Sequence, residues 1–217
     1  MKVYLTTLYR DNKSVLLFIV LMCVFRSAIA DWNEVPTGSM QPTIVEGDRI
    51  WVNKLAYDVS TPFVNYSLLK LADPIRGDII VFDSAPADKR LVKRVVGIPG
   101  DTIAMIDNVL YINQQPLSYE NIVAKGHFSE VTENLLGVQH RIRVANNGSL
   151  LSSFTPLTIP ADYYLAMGDN RDNSADSRVI GLIPRDEIIG RANKVVMSLN
   201  YDNYYLPRTE RFLHTLL

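Results

Sequence analysis

The sequence contains a single cysteine, Cys23, and only three histidines, which are far apart along the chain. One cysteine cannot form a disulfide within the chain, whatever the redox state of the compartment. Zinc sites need cysteine, histidine or carboxylate ligands at characteristic spacings, and this sequence has no such spacing. We therefore expect no intramolecular disulfide, no metal site and no other cofactor.

An excess of charge of one sign is also missing, because 22 Lys and Arg residues nearly balance 23 Asp and Glu residues and leave a net charge of -1. Proteins that bind nucleic acid usually carry a basic face, so nucleic acid is not an expected partner. Apolar residues make up 47% of the sequence and charged residues 21%, which is ordinary for a globular protein. The 217 residues suffice for one good-sized domain with an attachment.

The longest apolar run lies near the N-terminus, from Ser14 to Ala30, and is interrupted by Arg26. At ~1.5 Å per residue it is slightly short for a bilayer core of ~30 Å, but Arg26 can extend to the interface and Trp32 suits the interfacial belt. Basic residues precede the run and acidic residues follow it: Lys2, Arg10 and Lys13 before, Asp31 and Glu34 after. The positive-inside rule therefore predicts a transmembrane anchor at 14–31, with residues 1–13 in the cytoplasm and the remainder outside.

A cleavable signal peptide is the alternative interpretation of the same run, because Ala28-Ile29-Ala30 fits the A-x-A cleavage pattern. Arg26 argues against it, since a charge is unfavourable in the last residues before a cleavage site. The retained anchor is therefore favoured. In either case the main domain is exported.

The sequence after the anchor has short runs rich in Val, Ile and Tyr, separated by Gly, Pro, Asn and Asp, which are typical of β-strands. These runs are Arg49–Leu55, Asp78–Phe82, Leu91–Ile98, Thr102–Ile106, Val109–Asn113, Tyr163–Met167 and Ile188–Leu199. Asp107 and Asn108 predict a hairpin turn between two of them. No helical period follows the anchor until the tail, where Arg208–Leu217 predicts a short helix.

The predicted fold class is mainly β, with a single N-terminal transmembrane helix followed by a β-rich core of the two-sheet or barrel-like kind. Residues 107–158 are more polar and contain no recognisable motif, so we interpret them as an inserted subdomain. The core then consists of residues 32–106 and residues 159–217, the second part including the C-terminal tail.

Ser39 lies in a turn bounded by Pro36 and Gly38, directly after the anchor. A serine in such a turn usually serves only the turn itself. Its significance depends on Lys93, which strand alternation puts on the same face as its aliphatic neighbours Leu91 and Val95. An edge-strand lysine that faces water is the simpler interpretation. A lysine buried among aliphatic side chains would instead have a lowered pKa and could act as the base for a serine nucleophile.

A Ser-His-Asp triad is the competing catalytic arrangement. The candidates for its base are His127, His140 and His214, which lie in the polar 107–158 segment or in the tail. None of them is flanked by motif-like residues. The serine–lysine pair is therefore favoured.

A polar segment from Gly168 to Arg178 is too hydrophilic for a core strand. Its Asp and Asn side chains could simply hydrogen-bond to their own backbone in a long turn. The segment is rich in Asp, Asn, Arg and Ser, whose side chains can pair with one another. This composition predicts instead an ordered loop that supports a site.

Four segments, in this order after an N-terminal anchor, resemble the motifs of the bacterial type I signal peptidases. They are residues 36–43, 47–54, 93–101 and 168–178, and the resemblance extends to Arg191. It implies a Ser/Lys-dyad serine endopeptidase that removes signal peptides from exported preproteins after Ala-x-Ala sequences. It also implies a β-rich catalytic core that carries an inserted β-ribbon.

The resemblance further implies roles for individual residues. Ser39 matches the nucleophile and Lys93 the general base, while Thr37 matches a hydroxyl that joins the Ser39 N–H in the oxyanion hole. Ser174 matches a serine that hydrogen-bonds to the lysine and orients it. Structural support is expected from Asp169, Asp176 and Arg178, and shallow apolar substrate pockets from Val35, Met40, Ile44 and Val92.

The same resemblance implies a catalytic domain outside the bacterial inner (plasma) membrane, with exported preproteins and the lipid bilayer as partners. Many members of that family have two anchors and a disulfide in the inserted region. This chain has one predicted anchor and a single cysteine, Cys23, so the resemblance leaves the structure of residues 107–158 open. Two rival functions remain: a conjugative-transfer Ser/Lys peptidase with one dedicated substrate, and an inactive membrane-tethered binding module. The presence of Ser39, Lys93 and Ser174 argues against the inactive module.

Overall fold

The computed structural model describes residues 2–216, with side chains from residue 12 onward, so the first residue of the predicted cytoplasmic N-terminus and the last of the tail lie outside it. The fold is mainly β and contains several sheets, as the sequence predicts. The helices are α1 (Lys2–Ala28) and α2 (Ser177–Ile180). The strands are β1 (Ala30–Glu34), β2 (Asp48–Asn53), β3 (Asp58–Ser60), β4 (Ser67–Lys70), β5 (Ile79–Ser84), β6 (Lys89–Gly97), β7 (Thr102–Ile106), β8 (Val109–Ile112), β9 (Gln115–Pro116), β10 (Ser118–Lys125), β11 (Phe128–Leu135), β12 (Val138–Ala145), β13 (Phe154–Thr158), β14 (Tyr163–Met167), β15 (Ile183–Pro184), β16 (Ile188–Asn200) and β17 (Leu206–Pro207).

Helix α1 covers most of the predicted anchor and ends at Ala28, before the predicted end at residue 31. Arg26 lies in its last turn, where a cation interacts favourably with the free carbonyls, and it pairs with Asp31 at 2.7 Å. The Arg26 guanidinium also stacks on the Trp32 ring at 4.2 Å. Within residues 2–216, no helix combines the length and the apolar character that a membrane crossing requires. The transmembrane anchor therefore stays a prediction.

The main sheet has the strand order β1-β2-β16-β5-β6-β14-β15, with β17 beside β16. The runs predicted as strands all form strands, with ends that differ by at most two residues. Strand β2 shows the expected alternation, because Asp48, Ile50 and Val52 are buried while the residues between them are partly exposed. The long strand β16 pairs with β2 on one side and β5 on the other, so it lies in the middle of the sheet.

Two smaller sheets are built largely from residues 107–158. One has the order β13-β7-β8-β9, and the other the order β10-β11-β12. The predicted hairpin turn connects β7 to β8, and φ is 50° at Asp107 and 63° at Asn108. Positive φ at both central residues is what a two-residue type I′ hairpin requires, and Asp and Asn tolerate it.

Three groups of buried side chains form the core. The first packs the residues around Ser39 against β2, β5 and β16, and includes Val35, Met40, Ile44, Ile50 and Val195. The second joins β6 and β14 to the 107–158 segment, and includes Val96, Ile103, Leu110, Leu135 and Met167. The third includes Tyr57, Ile80, Phe82, Val95 and Tyr164. The 107–158 segment thus shares a core with the main sheet.

The tail differs from its prediction. A 3-10 turn at Thr209–Arg211 follows β17, where the sequence predicted a helix over Arg208–Leu217. Arginine side chains hold this segment to the core: Arg208 donates to Ser198 Oγ at 3.0 Å, and Arg211 donates to Asp48 Oδ1 at 2.9 Å. Contacts of this kind need no helical period, which explains why the sequence pattern was misleading.

A buried ion pair between Glu133 and Arg171 leads to a prediction about stability. Both side chains are at most 1% exposed, and Arg171 Nη1 donates to Glu133 Oε2 at 2.7 Å. The substitution Glu133→Gln leaves the guanidinium buried without its counter-charge, so the free energy of unfolding should fall by about 3–5 kcal/mol. Urea unfolding measures this change. Glu120→Gln on β10, where the side chain is exposed, should change it by less than about 0.5 kcal/mol, and equal losses in both variants would contradict the prediction.

Candidate active site

Ser39 lies in a tight turn that begins after β1. Residues Gly38–Met40 form a 3-10 turn, which Gln41 N closes by donating to Gly38 O at 3.1 Å. Met40 is buried in the core and holds the turn in place, while Ser39 itself is only partly buried. The apolar side chain next to Ser39 therefore anchors the turn and leaves the Ser39 hydroxyl accessible.

The turn and strand β6 bring Ser39 and Lys93 together across the fold. Lys93 Nζ donates to Ser39 Oγ at 2.8 Å and to the carbonyl oxygen of Val92 at 3.0 Å. The lysine is 2% exposed, so the water-facing interpretation of this residue is wrong. A hydroxyl in contact with a buried amine is the geometry that Ser/Lys nucleophilic catalysis requires.

Burial lowers the pKa of Lys93 from its ordinary value to about 8. The carboxylates of Asp176 and Asp169 act in the opposite direction, and the guanidinium of Arg178 lowers the pKa further. With a pKa near 8, roughly a tenth of the amine is neutral at pH 7, compared with less than about a thousandth for a free lysine. The site therefore supplies a base near neutral pH.

The loop 168–178 holds the serine turn from one side. Asn170 donates twice, from its backbone N to Ser39 O and from Nδ2 to Gly38 O, each at 3.0 Å. Gly168 lies so close that a Cβ there would be 2.4 Å from Ser39 O. Any side chain at this position would displace the turn, so glycine is required by close approach.

Two ion pairs support the loop. Arg94 donates to both carboxylate oxygens of Asp169, at 2.9 and 2.8 Å, and Arg178 pairs with Asp176 at 2.7 Å. Burial alone would raise the pKa of Asp169, but the charge of Arg94 outweighs it and lowers that pKa. The pKa of Asp176 is likewise lowered against the effect of burial, through Arg178. Both carboxylates are thus ionised and paired.

Ser174 does not make the hydrogen bond expected of it. Its side chain is buried beside Gly168, but Oγ has no hydrogen-bond partner in the part of the chain that the structure describes. Lys93 Nζ bonds to Ser39 and Val92 instead. Ser174 therefore lies in the predicted neighbourhood without making the predicted hydrogen bond.

A cleft of about 280 Å³ opens beside Ser39 and Lys93. Its lining includes Thr37 and three of the predicted pocket residues, Val35, Met40 and Val92. The fourth, Ile44, is a correction: it is fully buried in the core cluster with Val35 and Met40, so it lines no surface. A larger cavity of about 400 Å³, beside Lys54 and Arg185, contains neither Ser39 nor Lys93, so the smaller cleft is the candidate site.

Two strand edges face the cleft. β1 is the first strand of the main sheet, and β14 pairs with β6 only from Arg94 to Gly97. The first half of β6, including Lys89 to Val92, thus has one edge without a strand partner within residues 2–216. Free N–H and C=O groups on two edges can bind an extended peptide between them.

The histidines give no support to the triad alternative. None of the three lines the cleft beside Ser39. His140 is buried, with Nε2 at 3.3 Å from Glu133 Oε1, and belongs to the network that links β11 to the loop. The Ser39 hydroxyl contacts Lys93 instead.

Sequence reasoning missed several residues that build the site. Asn170 holds the serine turn, Arg94 compensates Asp169, and Glu133 and Arg171 join the loop to β11. A charged residue within a run of apolar strand residues, as at Arg94, was the one local signal available. The partners of these residues lie far along the chain, so spacing alone could not identify them.

Comparisons with known proteins identify relatives of this chain. The family model described as signal peptidase, peptidase S26, matches residues 9–197. Signal peptidase I of Pseudomonas aeruginosa is 39% identical over 200 residues, which cover 84% of this chain and 69% of that protein. Signal peptidase I of Rickettsia bellii is 31% identical over 225 residues, covering 88% and 74%. A solved structure of a signal peptidase I from Enterococcus faecalis V583 is 30% identical, with a TM-score of 0.37, and covers 56% of this chain and 98% of that one.

A buried lysine against a serine hydroxyl in an open cleft defines the class of the Ser/Lys hydrolases. The chain belongs to the signal peptidase family, peptidase S26. It is thus a serine endopeptidase that removes signal peptides.

The burial of Lys93 makes stability depend on pH. Its pKa is about 8 in the folded protein and near 10.4 in an unfolded chain, so the unfolded state binds the proton more tightly. The free energy of unfolding must then rise between about pH 8 and pH 10.5, by about 3 kcal/mol relative to Lys93→Met. Urea unfolding of both proteins across that range measures the gain. Lys89→Met, which removes an exposed lysine from the same strand, is the control, and parallel curves for parent and Lys93→Met would contradict the prediction.

Proposed function

We propose that Ser39 is the nucleophile and Lys93 the general base of this peptidase, and that it cleaves exported preproteins after Ala-x-Ala sequences. The observation that carries the proposal is the 2.8 Å contact between Lys93 Nζ and Ser39 Oγ, made by an amine that is 2% exposed. The lowered pKa of Lys93, about 8, supports its part as a base.

The proposed reaction begins when neutral Lys93 accepts the proton of Ser39 Oγ. The oxygen then attacks the carbonyl carbon before the scissile bond, and the new ammonium of Lys93 protonates the leaving amine. An ester to Ser39 remains, which a water molecule hydrolyses after Lys93 has taken its proton. The balance of protons closes, because Lys93 returns to the neutral state when it reprotonates Ser39.

The oxyanion would be bound by the Ser39 N–H and the Thr37 hydroxyl. Thr37 precedes the 3-10 turn in an extended conformation, and its side chain makes no capping hydrogen bond there. It is exposed and lines the cleft, which supports its availability to a substrate. A hydroxyl and a backbone N–H that converge on one oxygen form the usual kind of oxyanion hole.

Specificity for small side chains would follow from the shape of the cleft. Its apolar walls come from Val35, Met40 and Val92, and its volume of about 280 Å³ leaves little room beyond a short peptide with small residues. The strand edges of β1 and β6 would bind the peptide backbone in an extended form. The roles proposed for Asp169, Asp176 and Arg178 are structural.

We also propose that α1 anchors the enzyme in the bacterial inner membrane, with residues 1–13 in the cytoplasm and the catalytic domain outside. The support comes from large apolar side chains on α1 that no protein element covers, including Leu17, Phe18 and Leu21, each about 60% exposed. Exposed Phe63 and Val64 lie beside the last turn of α1, where Phe63 N contacts Ser27 Oγ. An apolar surface of this extent needs a covering, and the bilayer provides one.

Replacement of Lys93 tests the proposed chemistry. Lys93→Arg keeps a positive charge but cannot be deprotonated in this pH range, so cleavage of a precursor with Ala-x-Ala should be lost. In the parent, activity should rise about tenfold per pH unit below pH 8 and level off above it, because only the neutral amine is a base.

The control for this test is Lys194→Arg, which changes an exposed lysine on β16 that does not line the cleft, and it should cleave like the parent. Precursor processing followed by sequencing of the new N-terminus gives the measurement. Retained cleavage by Lys93→Arg, or a flat profile from pH 6 to pH 9, would remove Lys93 from the mechanism.

The strand β1 generates a prediction about the A-x-A sequence at 28–30. Ala30 is buried and pairs with Asn53, and Asp31 pairs with Val52, so the Ala30–Asp31 bond lies within a sheet. A peptidase needs an extended, accessible substrate, and we therefore expect the active enzyme to keep residues 1–30 and to remain with the membrane fraction. N-terminal sequencing of the active form tests this, with Ala28→Leu as a variant in which the pattern is destroyed. An active parent form that begins at Asp31, and is absent from Ala28→Leu, would overturn the prediction.

A further inference from the structure

The 107–158 segment reaches the active site through strand β12, an edge strand of the sheet β10-β11-β12. Arg143 in this strand forms a short parallel bridge with Asn170. Its backbone N donates to Asp169 O at 2.8 Å, and its carbonyl accepts from Arg171 N at 2.8 Å. The loop that supports the site therefore continues the sheet of the 107–158 segment.

Asn170 connects this bridge to the nucleophile. One side of its backbone faces β12, while its N and Nδ2 donate to the carbonyls of Ser39 and Gly38 at 3.0 Å. Only one residue thus separates β12 from the serine turn. A shift of β12 relative to the main sheet would be transmitted directly to Ser39.

The side chain of Arg143 makes a second connection to the same turn. Its Nη1 donates to Gln41 Oε1, two positions after Ser39, and its Nη2 donates to Glu130 Oε1 at 3.0 Å. The guanidinium also stacks over the Phe128 ring at 3.9 Å. Because the sheet holds the guanidinium on two sides, it offers Gln41 a partner in a fixed position.

We infer that the 107–158 segment positions Ser39 for attack, and that Arg143 is the positioning residue through which it does so. Arg143 does not line the cleft, so it has no direct contact with a peptide bound there. The inference rests on the proposed part of Ser39 as nucleophile. Its physical basis is that a reacting atom displaced by about 1 Å can lose about 100-fold in rate.

The substitution Arg143→Met tests the inference, because it keeps the apolar stem and removes the hydrogen bonds to Gln41 and Glu130. We expect kcat for a signal-peptide substrate to fall by about 10-fold or more, with KM changed by less than about twofold. Arg143→Lys, which retains a donor, should recover part of the loss.

Arg141→Met is the matched control. Arg141 lies on the same strand, pairs with the same Glu130 and is 58% exposed. The substitution Arg141→Met removes the same charge and a contact to the same carboxylate, but it leaves the contact between Arg143 and Gln41 in place. The kcat of Arg141→Met should therefore stay within about twofold of the parent. Melting temperatures of both variants show whether any loss of activity follows a loss of stability.

Gln41→Leu approaches the same contact from the serine turn and covers the case in which Arg143→Met does not fold. It should lower kcat like Arg143→Met, and the double variant should be no slower than either single one. Normal kcat in both single variants would overturn the inference, and so would equal losses in Arg143→Met and Arg141→Met. Ser39→Ala distinguishes the failure of the proposed function from the failure of this inference. If Ser39→Ala still cleaves the substrate, Ser39 is not the nucleophile and the proposed function fails. If Ser39→Ala is inactive while Arg143→Met is fully active, only the positioning role of Arg143 is refuted.

Discussion

The burial of one amine is the constraint on which the site depends. To lose its proton near neutral pH, Lys93 must be shielded from water, which lowers its pKa, yet the nearby Asp176 and Asp169 raise that pKa. Arg94 and Arg178 pair with these carboxylates at 2.8 and 2.7 Å, and the charge of Arg178 lowers the pKa of the lysine against their effect. Without the two arginines, the carboxylates would favour the ammonium form and the amine would be a poor base. Under the proposed mechanism the ion pairs of the loop therefore contribute to the strength of Lys93 as a base, although none of their members needs to contact a substrate.

The fully buried ion pairs, Arg94–Asp169 and Arg171–Glu133, also determine how the parts of the fold meet. Arg94 belongs to β6, Glu133 belongs to β11, and Asp169 and Arg171 belong to the loop between β14 and α2, all with side chains at most 1% exposed. Buried ion pairs contribute little net stability, because desolvation offsets most of their attraction. A misplaced partner, however, leaves a buried charge unpaired, which strongly disfavours every other arrangement. The network thus selects the single packing in which Lys93 and Ser39 are in contact.

The sequence predicts β2, β5, β6, β14 and β16 of the main sheet and the Asp107–Asn108 turn, because alternation and turn residues are local signals. It does not predict β1, β15 and β17. Strand β10 escapes prediction because most of its residues are exposed, which leaves no alternation to detect. The Ser39–Lys93 pair is predicted from motifs, but the partner of Arg94 lies 75 positions away, and no local pattern identifies it. The position of Ile44 depends on the path of the chain after the turn, and the Ser174 contact depends on a rotamer. Topology and side-chain conformation are therefore the information that the local pattern lacks.

The open strand edges at the cleft could pair with the edges of other protein molecules. Unpaired edges invite association between molecules, and a closed barrel would remove them together with the binding site. Here the edge residues at the cleft include Glu34, Lys89 and Arg90, which are exposed and charged. A second copy of the sheet would have to bring these charges together or remove them from water. The proposed substrate, a single extended peptide with small side chains, would instead pass between them to the apolar surface at Val35 and Val92. The charged edge residues and the apolar walls of the cleft thus favour binding of one extended peptide over edge-to-edge pairing with another sheet.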